Sequence, residues 1–214
     1  MIISQGRKYI FVHIPKTGGT SLALEGRAMK DDIMLGDTPK AMKRRRKLKH
    51  VTTRGRLWKH STLADIDGLL SRDEIAAMFN FTLVRNPWDR MVSYYHWLRV
   101  QGFEHDAVRK AKALDFSGFL NDAEIGQSFQ ANPYRRYLTD AGGTERAALY
   151  IRLEHFEEDA APLWAHLGFK LVLPRENVSE RAVDYRSYYS KADSRRLEAI
   201  CREDVEKFNY RFSE

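Results

Sequence analysis

At 214 residues the chain is long for one domain and short for two, so a single α/β domain over residues 1–214 is the simplest reading. A hydrophobic fraction of 43% supplies one sizeable core, and 30% charged residues argue for a soluble chain. No stretch reaches the ~18–20 apolar residues of a bilayer span. The net charge of +7 favours anionic partners without choosing among nucleotides, nucleic acid, acidic sugars and membrane surfaces.

The first residues carry a short apolar run with no charged region ahead of it and no small-residue cleavage site, so no signal peptide is expected. Lys8–Ile14 is rich in β-formers and closed by Pro15, which reads as a strand. From Thr20 the pattern turns helical. Lys40, Lys43, Arg44, Arg45, Arg46, Lys47 and Lys49 fall within ten residues, and the basic segment at about 39–59 reads as a solvated helix or a mobile loop. Ser71 with Glu74 forms a capping box at a helix start. Asn80–Val84 is a second strand, and Pro87 opens a helix to about Val100 with Met91, Tyr94, Tyr95 and Leu98 on one face. Leu149–Leu153 is a third strand, followed by a helix ending at Leu167 with Gly168 beyond it. Ser190 opens a last helix running to about Phe208. Strands alternating with helices argue for a parallel sheet covered on both faces. The single cysteine, Cys201, can form neither an internal disulfide nor a zinc cluster, which suits a reducing, cytoplasmic compartment.

The first strand runs straight into Pro15-Lys16-Thr17-Gly18-Gly19-Thr20-Ser21, where a helix is expected to begin. Strand, glycine turn and helix N-terminus together make an anion site, with backbone N–H groups turned inward and Lys16 adding a full charge. The plainer alternative is a strand–helix turn that merely needs flexible glycines. In a Walker A loop the lysine follows the glycines and a Ser/Thr holds Mg²⁺; here Lys16 precedes them. The second strand ends in Arg85 rather than in an acid suited to Mg²⁺. Cations without a metal carboxylate suit an anion that needs no divalent ion, and no metal site is expected.

Arg85 leaves the C-terminal end of its strand, where ligands bind in open α/β sheets, and Ser93 lies about two turns into the next helix. An arginine fork and a hydroxyl suit a phosphate, although an arginine at a helix start is as readily paired with a neighbouring acid.

Together, HIPKTGGTSL and LVRNPWDRMVSYY resemble the two motifs of the sulfotransferases that use 3′-phosphoadenosine 5′-phosphosulfate (PAPS). The segments Ile151–Asp159 and Glu203–Tyr210 resemble the C-terminal half of the carbohydrate-type and bacterial members, so the resemblance spans nearly the whole chain. It implies a three-layer α/β/α fold with a central parallel sheet, related to the P-loop kinases, and metal-independent transfer of a sulfuryl group from PAPS to an acceptor hydroxyl, leaving adenosine 3′,5′-bisphosphate (PAP). It also implies that Lys16 offsets charge on the departing phosphate, that amides of Thr17, Gly18, Gly19, Thr20 and Ser21 hold the 5′ phosphate, and that Arg85 and Ser93 hold the 3′ phosphate. The small-molecule members close the cofactor site with an Arg-Lys-Gly loop that is absent here, and Arg181 within Asn177–Arg181 is the candidate counterpart. Arg90 reads as a structural partner.

Transfer to a hydroxyl needs a base within hydrogen-bond reach. Among seven histidines, His13 reads as a packed strand residue, and His105, His155 and His166 have no motif around them. His60 precedes a helix expected near Thr62, in the region where the resembling carbohydrate and bacterial enzymes carry a histidine base. Glu25 or an acid near Asp65 is the alternative base. The sequence leaves the acceptor open; an anionic or neutral saccharide is one candidate, and the Lys40–Lys49 run could steer an anionic one or be a solvated surface. No specific nucleic-acid motif accompanies the charge, so a nucleic-acid binder and a Mg²⁺-dependent nucleotide kinase stand as the rival readings. The oligomeric state is open.

Overall fold

The computed structural model describes residues 1–19, 32–35, 42–43, 48, 50–171 and 182–213. The chain divides into two compact units, each built from two stretches: Met1–Val84 with Tyr134–Glu176, and Arg85–Pro133 with Asn177–Glu214.

The first unit holds the sheet. Its strands are β1 (Ile2–Ser4), β2 (Tyr9–Val12), β3 (Asp32–Met34), β4 (Phe79–Val84) and β5 (Leu149–Arg152), in the order β3-β1-β2-β4-β5. β2, β4 and β5 pair in parallel, as their separation by long connections requires. β1 pairs antiparallel with both β2 and β3, so four strands run one way and β1 alone runs the other. The sequence pattern missed β1 because Ile2–Ser4 is too short to show a period. It forms because the short segment between Ser4 and Tyr9 folds it back onto β2.

Successive side chains of β2 go to opposite faces. Tyr9 and Phe11 join Phe81, Leu83 and Ile151 in one core. Over this face lie α7 (Phe156–Asp159) and α8 (Ala161–Leu167), contributing Phe156, Leu163 and Leu167. Ile10 and Val12 join Ile3, Leu63, Ile66, Ile75 and Leu138 in the other core. The sheet is therefore covered on both faces, as the α/β pattern implies. The helix α1 (Arg72–Ala76) starts at Ser71 with the expected capping box, and Gly168 ends α8 in the left-handed conformation. Where a helix near Thr62 was expected there are turns. Thr62 N–H donates to Asp65 Oδ2 at 2.7 Å and Asp65 N–H to Thr62 Oγ1 at 3.2 Å, and Gly68 at φ 96° turns the chain before a helix can grow.

The second unit is helical among its described residues. α2 (Pro87–Arg99) is followed by α3 (Asp106–Ala113), α4 (Phe116–Asn121) and α5 (Ala123–Ala131), and the chain returns as α9 (Lys191–Ile200) and α10 (Arg202–Phe208). A short helix α6 (Tyr134–Tyr137) belongs to the first unit. The expected single C-terminal helix is interrupted at Cys201, whose φ of −102° and ψ of 25° leave the helical region. The α2 face is as expected for Met91, Tyr95 and Leu98, which are buried, while Tyr94 is half-buried. Tyr95 packs edge-on against Phe116 and donates its hydroxyl to Leu114 O at 2.9 Å. Asp193, buried, accepts from Ser117, Asn121 and Ser190, tying α4 to the start of α9.

Candidate active site

Val12, the last residue of β2, pairs with Thr82 of the parallel strand β4, and the Thr82 hydroxyl donates to Val12 O at 2.7 Å. That bond fixes the strand end from which the loop departs. Thr17 is buried and its hydroxyl turns back to donate to Ile14 O at 3.0 Å, so its side chain staples the loop to the chain leaving β2. Lys16 adopts φ 66° and Gly18 φ 81°. A lysine in the left-handed region costs about 1 kcal/mol, as it does for Lys8 at φ 55° in the turn between β1 and β2.

The glycines serve close approach. A β-carbon on Gly18 would lie 2.8 Å from Leu153 Cδ1, and one on Gly19 would lie 2.3 Å from His13 Cδ2. Gly19 thus approaches the His13 ring closely, and Gly18 combines a left-handed φ of 81° with the Leu153 side chain beside it, so backbone freedom and close approach both bear on the pair. Thr20 and Ser21 lie outside the described residues, as do Arg181, Glu25, most of the Lys40–Lys49 run and the helix expected from Thr20.

His60 is held beside this loop. Its Nδ1 lies 2.7 Å from the backbone carbonyl of His13. A carbonyl can only accept, so Nδ1 carries the proton and the neutral ring has its lone pair on Nε2. Ser61 supports the arrangement: fully buried, its hydroxyl donates to Arg56 O at 2.8 Å and accepts from Trp58 N–H at 2.9 Å, closing the turn that carries His60. Trp58 meets the His60 ring edge-on at 5.0 Å, and the Arg56 guanidinium lies 5.5 Å over the Trp58 ring. Asp65, the alternative base, is engaged in the Thr62 turn.

His13 was read as an ordinary core residue inside the strand. The structure corrects this: β2 ends at Val12, and His13 is half-buried, edge-on to His60 at 4.7 Å. Burial first, then the charges of His60, the N-terminal ammonium, Lys59 and Lys16, keep its pKa well below the ordinary histidine range. No sequence signal separates such a histidine from a packed one, because its neighbour His60 is 47 residues away.

In the second unit, Arg85 directly follows β4. Its Nε donates to Asp89 Oδ2 at 2.8 Å, the pairing with an acid one helical turn on that the sequence left open. Asn86 caps α2 by accepting from Trp88 N–H at 3.0 Å and donates to Arg211 O at 3.2 Å. Trp88 donates its indole N–H to Ser194 O at 3.0 Å and Tyr189 donates to Trp88 O at 2.8 Å, so the first turn of α2 is fixed from several directions. Ser93 is buried on the same helix. Arg90, buried with its guanidinium 5.1 Å over the Phe129 ring, is the structural residue the sequence suggested.

β2, β4 and β5 in parallel, with a lysine–glycine loop leaving β2, make up the α/β frame of the candidate site. The family model described as the sulfotransferase family matches residues 1–211, and the chain belongs to that family. It is thus an enzyme of the PAPS-dependent sulfotransferase class its motifs indicate, and it moves a sulfuryl group. Among solved structures, the chain is similar to mouse sulfotransferase SULT7A1 complexed with PAP, at 15% identity over 95% of this chain and 85% of that one, with a TM-score of 0.52. That likeness supports the fold. No curated protein matches the chain. Among the described residues no cluster of His, Cys, Asp and Glu has the arrangement of a metal site, and no helix is long and apolar enough to cross a membrane.

Proposed function

We propose that this sulfotransferase carries the sulfuryl group of PAPS to an acceptor hydroxyl by in-line, metal-independent transfer, with His60 as the base. The observation that carries the reading is the His60 Nδ1–H bond to His13 O, which puts a basic nitrogen next to a loop built for an anion. Acceptor oxygen forms a bond to sulfur as the bond from sulfur to the phosphate oxygen breaks. The hydroxyl proton goes to His60 Nε2, and the negative charge moves onto the departing phosphate.

Lys16 offsets that charge, and amides of Thr17, Gly18 and Gly19, with Thr20 and Ser21 beyond the described residues, hold the 5′ phosphate. Arg85, oriented by Asp89, and Ser93 hold the 3′ phosphate, with Arg181 as a further contact. The left-handed Lys16 and the crowding at Gly19 support a site shaped in advance for this anion. Metal independence is supported by the arginine that follows β4 where a Mg²⁺ enzyme needs an acid.

For the acceptor we infer a saccharide, by the carbohydrate-type and bacterial branch its C-terminal segments resemble. Exposed Arg54 and Arg56, in the stretch leading to His60, would favour an anionic one. A cytoplasmic setting is consistent with a single buried thiol, Cys201, whose pKa burial pushes up to about 12. The reading is tested by incubating the protein with PAPS and a panel of saccharides, lipids and phenols and identifying products by mass spectrometry. A sulfated saccharide with matching release of PAP is expected. A sulfated phenol alone would overturn the saccharide assignment, and phosphate transfer from ATP instead would overturn the whole.

A further inference from the structure

His13 sits between the two halves of the chemistry and has no role in it so far. Its ring stacks on Phe11 at 5.9 Å with 18° between the planes. On another side His60 meets it edge-on at 4.7 Å. Toward the loop, Gly19 comes so near that a β-carbon there would lie 2.3 Å from Cδ2 and 2.8 Å from Nε2. The imidazole is thus a wedge with the donor loop against one edge and the base against another, and the carbonyl of the same residue takes the His60 Nδ1 proton.

One hydrogen bond to a carbonyl favours the proton on Nδ1 only while the ring stays in line with it, and by itself it leaves the ring able to swing out of line. Packed rings beside it, those of His13 at 4.7 Å and Trp58 at 5.0 Å, remove the swing together, and a base must be held to within about 0.5 Å and 10–20° to work. Burial, with the positive charges of the N-terminal ammonium, Lys59 and Lys16 and that of His60 once it has taken the proton, keeps the wedge neutral, so it does not compete with His60 for the acceptor's proton.

We propose that His13 is a positioning residue for sulfuryl transfer, its carbonyl and ring together fixing the His60 imidazole in one tautomer and one orientation against the donor loop. The proposal rests on His60 being the base. It makes a shape argument, so an aromatic ring without nitrogens should serve, while loss of the ring should not.

The test is the tautomer of His60, read at neutral pH from long-range proton–nitrogen NMR correlations, together with PAP affinity by calorimetry. Wild type and His13→Phe are expected to show the Nδ1–H tautomer alone. His13→Ala and His13→Leu should show a mixture of both tautomers, with PAP affinity held to within about threefold, a difference of under 1 kcal/mol. Gly19→Ala, whose methyl displaces the ring, should also show the mixture. A single Nδ1–H tautomer in both His13→Ala and His13→Leu would overturn the proposal. Failure of the base reading would show separately, as undiminished turnover in His60→Ala with the tautomer result unaffected.

Discussion

His60 donates its Nδ1 proton to the main-chain oxygen of His13 across 2.7 Å, joining two residues 47 positions apart in the chain. The bond sets the lone pair of His60 on Nε2 and brings a candidate base to His13, the residue after β2 and three residues before Lys16.

Replacing His60 tests that role. His60→Ala should lower turnover by about 10²–10⁴-fold, the usual worth of a general base, with PAP affinity nearly unchanged. Steady-state kinetics beside calorimetry separates the two. Equal losses in both would make His60 a binding residue.

Lys16 carries two properties that substitution can separate, its charge and its left-handed backbone. Lys16→Ala and Lys16→Gly should both abolish turnover. The glycine variant should unfold at higher denaturant, by about 1 kcal/mol, because glycine pays no penalty at φ 66°. Alanine as stable as glycine would mean that the loop relaxes once the charge is gone.

Arg85 owes its orientation to Asp89. Arg85→Ala should weaken PAP binding by about tenfold or more, the loss of a charge-assisted pair at roughly 1.5–3 kcal/mol. Asp89→Asn should produce a smaller loss of the same kind, since the fork remains but its aim loosens. An unchanged PAP affinity in Arg85→Ala would leave Arg85 as Asp89's structural partner only.

The depressed pKa of His13 gives stability a pH dependence. Its folded value lies below its ordinary 6.5, so the unfolded chain binds the extra proton first. This contribution is complete above pH 6.5 and is lost as pH falls below it towards the folded value. Asp159, held low by its bond from Arg152, and Asp140, which burial pushes up but Arg146 and the Thr144 and Gly142 amides pull down further, act only at lower pH, near and below their ordinary 3.8. Urea unfolding between about pH 7.5 and 5.5 should therefore show a slope in wild type that is flatter in His13→Phe. Equal slopes would contradict it.

Much of this was legible in the sequence, for identifiable reasons. The loop, the strand leading into Arg85, the Ser71 capping box and Gly168 are local signals, each carried by residues within one or two turns of each other, and the structure holds the loop as far as Gly19, the strand to Val84, the capping box and Gly168. His13 and Ser61 were not legible, because their meaning depends on contacts made only when the turn at 56–61 folds onto the end of β2. The helix expected near Thr62 failed for a local reason that the pattern understated: Asp65 and Gly68 favour turns over helix growth. The break at Cys201 has no sequence signal of that kind.

The donor is the centre of the account, and thermal unfolding with PAP in EDTA tests it most directly. PAP at a hundred times its dissociation constant should stabilise the folded chain by about 2.7 kcal/mol, seen as a rise of several degrees in Tm without any metal. Stabilisation by ATP with Mg²⁺ and none by PAP in EDTA would contradict it.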